Sequence, residues 1–325
     1  MALFHTEDIS RKSFLVTGGA GFIGSHIVAY LLENGAGKVR VIDNLATGSA
    51  KNVQLFAGYS QYEFIEGDIR DPETCVNACK RIDHVSHQAA LGSVPRSVKD
   101  PITTNEVNVS GFVNMLTAAK DANVLTFIYA SSSAVYGDEP NLPKVEDRTG
   151  NLLSPYAVTK STNELYASVF CDLFGMNVIG LRYFNVFGPR QDPEGPYAAV
   201  IPLFVDGILK GSPVYINGDG EQTRDFTFVE NAVQANIKGM LSSDKSAFGQ
   251  VYNVAVGTNF SVNFLYDAIR TMIGKQHEPT YRDARAGDIR NSLADISKAQ
   301  RLLQYQPTTQ LLDGLKLTVR FFVGS

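Results

Sequence analysis

Cysteine is scarce in this chain and odd in number: Cys75, Cys79 and Cys171 are the only three among 325 residues. Cys75 and Cys79 sit one helical turn apart and Cys171 is isolated, which is no disulfide framework. The expectation is free thiols in a reducing, cytoplasmic setting. A metal centre is disfavoured, because His84 and His87 have no cysteine or carboxylate cluster at ligand spacing. The stretch Met1 to Ser13 lacks an apolar signal region, and no apolar run reaches membrane-spanning length, so no membrane association is expected. An excess of positive charge is missing too. Lys and Arg number 29 against 33 Asp and Glu, a formal charge of −4, which argues against a general nucleic-acid binder. Anionic ligands remain open, since they need only a local positive site.

What is present is core material. Hydrophobic residues make up 44% and charged residues 19%, the balance of an ordinary soluble globular protein rather than a disordered chain or a fibre. The length suits one large domain or two smaller ones. Short β-branched or aromatic runs recur at Phe14–Val16, Val39–Ile42, Glu63–Ile65, His84–Ser86, Thr126–Tyr129 and Val178–Leu181. Helical patterns such as His26 to Glu33 and Asn108 to Ala119 separate them. This alternation predicts an α/β fold, a Rossmann-type doubly wound parallel sheet with helices on both faces. After Tyr183 glycine and proline cluster and the alternation fades, which predicts a smaller α/β substrate-binding C-terminal region. The expected division is a dinucleotide-binding domain over 1–183 and a region over 184–325 that mainly holds substrate. Residues of about 226–258, with a strand-like stretch at Gln250 to Val256, are expected to return to the first domain. Flanking helical stretches are Glu230 to Leu241 and Ser261 to Ile273. The chain closes on apolar residues from Thr318 onward, for which the pattern supplies no reading.

Thr17-Gly18-Gly19-Ala20-Gly21-Phe22-Ile23-Gly24 follows the first strand and opens a helix. Glycines there permit a tight turn and close backbone approach to a pyrophosphate, which the helix N-terminus attracts. Asp43 ends the second strand roughly 20 residues on, as a dinucleotide fingerprint requires. A carboxylate at that position accepts from ribose hydroxyls and repels a 2′-phosphate, so NAD is favoured over NADP. Asp68, at the end of the third strand, could reach the adenine amino group.

Tyr156 and Lys160 lie four apart on a predicted helix, which puts phenol and ammonium on one face. A tyrosine is a poor base at its ordinary pKa near 10, and a neighbouring lysine is expected to pull that value toward neutrality. The serine run Ser131-Ser132-Ser133 lies just upstream.

Taken together, these residues resemble the extended short-chain dehydrogenase/reductases over nearly the whole length. The further marks are Gly67-Asp68-Ile69-Arg70-Asp71, His87-Gln88-Ala89-Ala90, Ser131 to Gly137, Leu181 to Pro189 and Arg224-Asp225-Phe226. Within that family the chain most resembles the UDP-N-acetylglucosamine 4-epimerases, of the UDP-hexose 4-epimerase group. The resemblance implies that Gly18, Gly21, Phe22, Ile23 and Gly24 hold the NAD pyrophosphate, with Asp43, Asn44 and Gly48 near the adenosine. It places Asp68 and Ile69 beside the adenine. Gln88, Ala89 and Ala90 would line the cofactor cleft with Asn108 behind them, and Tyr183 and Val186 would approach the nicotinamide. For a UDP-sugar it implies Asn185 at the diphosphate, Tyr215, Ile216 and Asn217 at the uracil, Arg224 and Arg285 on the pyrophosphate and Asp288 on the ribose. Ser93 would face the sugar.

The implied chemistry is reversible hydride transfer at C4 through a 4-keto sugar. Tyr156 would be the base and Lys160 its partner, Ser132 would sit on O4, and Ser133 would assist. Related 4,6-dehydratases carry an Asp-Glu pair where Ser133 and Ala134 stand, and related decarboxylases a glutamate at Ala134, so eliminating chemistry is disfavoured. Ser292 stands where epimerases restricted to non-acetylated sugars carry a tyrosine, which implies room for an N-acetyl group; capping of the next helix is the competing reading. A second reading is a 4-epimerase or decarboxylase of UDP-glucuronate or UDP-N-acetylglucosaminuronate, and a third a non-catalytic NAD-binding regulator. The family also implies a homodimer and a role in polysaccharide precursor synthesis.

Overall fold

The computed structural model describes residues 2–194, 198–284 and 290–324. Seven strands form its central sheet: β1 (Ser13–Thr17), β2 (Lys38–Asp43), β3 (Tyr62–Glu66), β4 (His84–His87), β5 (Thr126–Ser132), β6 (Val178–Tyr183) and β7 (Gln250–Val254). Their order is β7-β6-β5-β4-β1-β2-β3, with every neighbouring pair parallel. This is the Rossmann arrangement, and its order reverses between β1 and β4. Ligands of open α/β sheets bind outside the strand C-termini at such a reversal.

Alternation along β1 accounts for the two faces. Phe14 and Val16 pack with Val39, Val41, Ile128 and Ile179 in one cluster, whereas Leu15 packs with Ile42, Val85 and Phe127 in another. Both sets are buried because helices cover both faces, which is why the strands read as apolar runs. The first face is covered by α1 (Phe22–Glu33) and the second by α2 (Gly111–Asp121). α3 (Pro155–Phe174) runs from Ser154, whose hydroxyl accepts the Ala157 N–H at 3.1 Å, to Gly175 in the left-handed region at φ 64°.

A third cluster lies beyond β6. It joins α4 (Val200–Lys210), α5 (Val229–Met240), α6 (Val262–Ile273) and α7 (Leu311–Val323) through Phe204, Ile208, Val229, Leu265 and Leu315. The apolar close of the sequence is thereby explained: it is the end of α7, whose Leu315, Thr318 and Val319 are buried. Tyr215–Asn217 pairs in parallel with Thr280–Arg282 as a separate two-stranded piece. Among the described residues no helix is long and apolar enough to cross a membrane, and no group of His, Cys, Asp or Glu could hold a metal ion.

Candidate active site

A cavity of about 600 Å³ opens at the C-terminal ends of the strands. From one end to the other it is lined by the glycine loop, Asp43, Asn44, Asp68, Ile69, Gln88 to Ser93, Ser132, Tyr156, Lys160, Tyr183, Asn185 and Val186.

The glycine loop leaves no room for side chains. Gly18 has φ 67°, and a Cβ on it would come 2.7 Å from the Ala89 nitrogen. A Cβ on Gly24 would overlap the Gly18 carbonyl oxygen. The loop therefore exposes bare backbone at the start of α1, a cradle that fits a dinucleotide pyrophosphate. Gly48 lies against the Asp43 carboxylate rather than on the cavity lining, and a Cβ there would reach that carboxylate at 2.9 Å.

Asp43 accepts from the Ala20 N–H at 3.0 Å and the Leu45 N–H at 2.8 Å, while burial pushes its pKa up. Asp68 is already engaged: the Arg70 guanidinium grips it at 2.8 Å and Asn44 Nδ2 at 2.9 Å. Those bonds draw its pKa down to about 2. Reaching an adenine amino group with Asp68 thus competes with a neighbour that the sequence reading passed over, although Asp68-x-Arg70 stood in plain view.

The next layer fixes the loops. Thr17 Oγ1 accepts the Ala89 N–H at 3.1 Å and shares a hydrogen bond with His87 Nδ1 at 3.0 Å. His87 is held neutral, its pKa lowered to about 3 by burial and by the Lys160 charge. Tyr183 Oη donates to Gln88 Oε1 at 3.1 Å and accepts from Asn236 Nδ2 at 2.7 Å. Asn108 sits on a π-helical turn at Glu106–Ser110. It accepts the Leu91 N–H at 2.8 Å and donates to the Leu91 carbonyl and to Thr159 Oγ1, both at 3.2 Å. It clamps the loop after β4 to α3 between Tyr156 and Lys160. Ser93 caps the short helix Val94–Lys99, accepting from Arg96 N–H at 3.2 Å, while Ser97 Oγ accepts the Tyr156 N–H at 3.0 Å.

Tyr156, Lys160 and Ser132 meet at the β5–β6 end. Ser132 Oγ accepts the Ala134 N–H at 3.1 Å, which leaves its hydrogen to donate. The lysine relation differs from the sequence reading and is corrected. Lys160 Nζ donates to the Ala130 carbonyl at 2.8 Å and stands 5.9 Å from the Tyr156 ring centre. The phenol's pKa is raised by burial, and what lowers it in part is a hydrogen bond with Ser132, not the lysine. Lys160 itself is lowered to about 8 by burial, opposed by the Glu164 charge. Spacing put both groups on one helix face; it did not reveal a strand carbonyl that takes the ammonium. Ser133 opens the 3-10 turn Ser133–Tyr136 and does not line the cavity.

The residues expected to hold a uridine diphosphate are spread out. Asn185 lines the cavity, with φ 35° and Nδ2 donating to the Asp225 carbonyl at 3.1 Å. Tyr215 and Asn217 lie on the small two-stranded piece, outside the cavity lining. There Arg282, which sequence reasoning missed, stacks 5.0 Å from the Tyr215 ring centre and donates to Asn217 Oδ1 at 2.6 Å. Arg224 Nη1 donates to the Thr223 carbonyl at 2.8 Å. Arg285 and Asp288 lie outside the described residues. Ser292 donates its N–H to the Thr223 carbonyl at 3.1 Å, and the helix that follows, Ser297–Leu303, has Ile296 at its N-cap, so Ser292 is no cap. Asp225 steadies this region, accepting the N–H groups of Val256 and Gly257 at 3.0 Å and of Ala294 at 3.3 Å; burial raises its pKa to about 6.

The fold and site are shared with known proteins. Residues 14–255 match the family described as NAD dependent epimerase/dehydratase. A UDP-glucose 4-epimerase of Mycolicibacterium smegmatis is 38% identical over 310 residues, 95% of this chain and 97% of that protein. A UDP-N-acetylglucosamine 4-epimerase from Methanobrevibacter ruminantium M1, solved with UDP-N-acetylmuramic acid, superposes with a TM-score of 0.91 at 40% identity, covering 96% of this chain and 98% of that one. The UDP-glucose 4-epimerase of Thermus thermophilus, solved with NAD, gives a TM-score of 0.85 at 36% identity over 96% and 99% of the two chains. Matching sequence over nearly full length, the same sheet and a glycine cradle shaped for its cofactor place this chain in the NAD-dependent epimerase/dehydratase family.

Proposed function

We propose that this protein is an NAD-dependent 4-epimerase of UDP-sugars that interconverts UDP-N-acetylglucosamine and UDP-N-acetylgalactosamine. The observation that carries the reading is a reaction end with hydroxyls and an ammonium but no free carboxylate. The only carboxylates lining the cavity among the described residues are Asp43 and Asp68, both at the ends of β2 and β3. Ala134, next to the reacting cluster, cannot move a proton. Eliminating water or losing carbon dioxide needs more acid–base equipment than this; inverting one carbinol needs one base. Glu164 does not supply a second, because Arg182 holds it through both oxygens.

When bound, NAD supplies the hydride acceptor. The chain does the rest. Ser132, hydrogen-bonded to the phenol, faces the sugar O4 together with it, Tyr156 takes and returns the hydroxyl proton, and Lys160 has ammonium hydrogens beyond the one given to Ala130 for the ribose hydroxyls. The relatives differ in the sugar their names give, glucose for some and N-acetylglucosamine for another. Ser292, on a segment held by Thr223 and Asp225, supports the acetylated pair because a hydroxymethyl group fills little space.

Purified protein given UDP-N-acetylglucosamine, UDP-N-acetylgalactosamine, UDP-glucose and UDP-glucuronate is expected to invert C4 of the first two by proton NMR, with no net change in NAD. Decarboxylation of the uronate without inversion of any sugar would sink the proposal. Ser292→Tyr is expected to lower kcat/KM for the acetylated sugars about tenfold or more while changing UDP-glucose little, since overpacking excludes only the larger group. Equal losses on both remove Ser292 from substrate choice.

A further inference from the structure

Gln191 has an unused acceptor inside the cavity. Its Nε2 donates to the Val186 carbonyl at 3.2 Å. A carbonyl oxygen can only accept, so that contact fixes which end of the amide is nitrogen. The other end, Oε1, is buried and has no partner among the described residues, and Gln191 lines the cavity beside Asn185 and Val186. A buried acceptor without a donor carries a desolvation penalty that a ligand N–H or O–H removes.

The loop that presents this oxygen is strapped to the dinucleotide helix. Arg190, at φ 66°, donates through Nη1 to the Ser25 carbonyl at 3.1 Å and through Nη2 to His26 Nδ1 at 2.9 Å. A guanidinium only donates, so His26 Nδ1 accepts and its Nε2–H goes to the Pro189 carbonyl at 2.9 Å. Burial and the Arg190 charge keep His26 neutral, its pKa lowered to about 3. Gln191 therefore follows two residues pinned to α1, the helix that the glycine loop opens.

The chemistry of a dinucleotide narrows the donor. Its pyrophosphate has none. Its adenine amino group belongs at the Asp43 and Asp68 end, across β1 from Gln191. At the β6 end, where Tyr156, Lys160 and Tyr183 also stand, the ribose hydroxyls are matched to Lys160, and the donor that remains on a dinucleotide is the carboxamide N–H of the nicotinamide. We infer that Gln191 Oε1 accepts the carboxamide N–H of the nicotinamide, a cofactor-orienting role that rests on the NAD-dependent reading above. Its partner Val186 is held at the same time, so one side chain sets both the ring's neighbour and its amide.

The test compares two cofactors on the full chain after its own cofactor is exchanged. NAD carries the amide N–H; 3-acetylpyridine adenine dinucleotide replaces that nitrogen with a methyl group. By calorimetry the wild type is expected to bind NAD about tenfold more tightly than the analogue. Gln191→Met should weaken NAD about tenfold, leave the analogue within about twofold, and so abolish the preference. If Gln191→Met does not fold, Gln191→Ala carries the same comparison. Equal weakening of both cofactors, or of neither, overturns the inference. Selective loss of UDP-sugar affinity overturns it too, by giving Oε1 to the other ligand. A wild type that binds neither dinucleotide overturns the NAD-dependent reading beneath it.

Discussion

Tyr156→Phe is expected to lower kcat about 10³-fold while leaving NAD retention and KM nearly unchanged. The substitution removes one oxygen and nothing else. The ring stays half-buried, the helix keeps its Ser154 cap, and Lys160 keeps its bond to Ala130. Uniform binding is therefore preserved and only the proton-transferring group is lost, which is the pattern of a pure kcat effect. A loss below about tenfold would remove the phenol from the chemistry.

The same pair gives a pH profile. Burial raises the phenol above its ordinary value and lowers Lys160 to about 8, so the resting pair is neutral phenol with ammonium. To act as a base the phenol must shed its proton, and because burial holds its pKa up, the fraction that has done so keeps growing across the neutral range. The sign follows: deprotonation is favoured as pH rises, so kcat/KM increases from pH 6 toward pH 8. Wild-type kcat/KM that is flat or falling across this range contradicts the assignment, whereas Tyr156→Phe should be flat.

Local chemistry made most of the site legible in the sequence. The glycine loop is legible because a close backbone approach forbids side chains, and Asp43 because it ends the strand next to that loop. Short apolar runs separated by helical patterns gave the sheet, since strands buried on both faces carry no polar alternation. What stayed hidden lies in contacts between distant segments. Arg282 reaches Asn217 across 65 residues, Arg190 reaches His26 across 164, and neither pairing leaves a periodic trace. Ser133 was expected to assist Ser132, but the 3-10 turn that starts there takes it off the cavity lining. The tyrosine pKa failed for the same reason: helix spacing gives a face, while the direction of the ammonium is set by Ala130, 30 residues upstream on a strand.

Arg182→Met is expected to destabilise the folded protein by about 3–5 kcal/mol, the range for breaking one side of a buried ion pair. Arg182 at the end of β6 has a side chain 5% exposed, and its partner Glu164 on α3 is 14% exposed. Arg182 Nε and Nη2 donate to the two carboxylate oxygens at 2.9 and 2.8 Å, and Nη1 donates to the Glu146 carbonyl at 2.9 Å. The guanidinium also lies 4.8 Å from the Tyr136 ring centre, and Ser131 Oγ donates to Glu164. Without the arginine, the Glu164 carboxylate loses both guanidinium bonds and keeps the Ser131 hydroxyl as its hydrogen-bond donor. Glu164→Leu combined with Arg182→Met removes the stranded charge and should recover at least half of the loss, because an apolar pair tolerates the site; what remains is the unpaired Ser131 hydroxyl and Glu146 carbonyl. Urea midpoints of the cofactor-free proteins read the difference without a contribution from binding. A single-mutant loss under about 1 kcal/mol, or a double mutant no better than the single, would mean that the pair does not hold the structure together. Where it does, the consequence is catalytic as well. Glu164 is one helical turn from Lys160 and two from Tyr156, and it ties their helix to Ser131 on β5 and Arg182 on β6, so the ion pair sets the distance between the phenol and the Ser132 hydroxyl it works with.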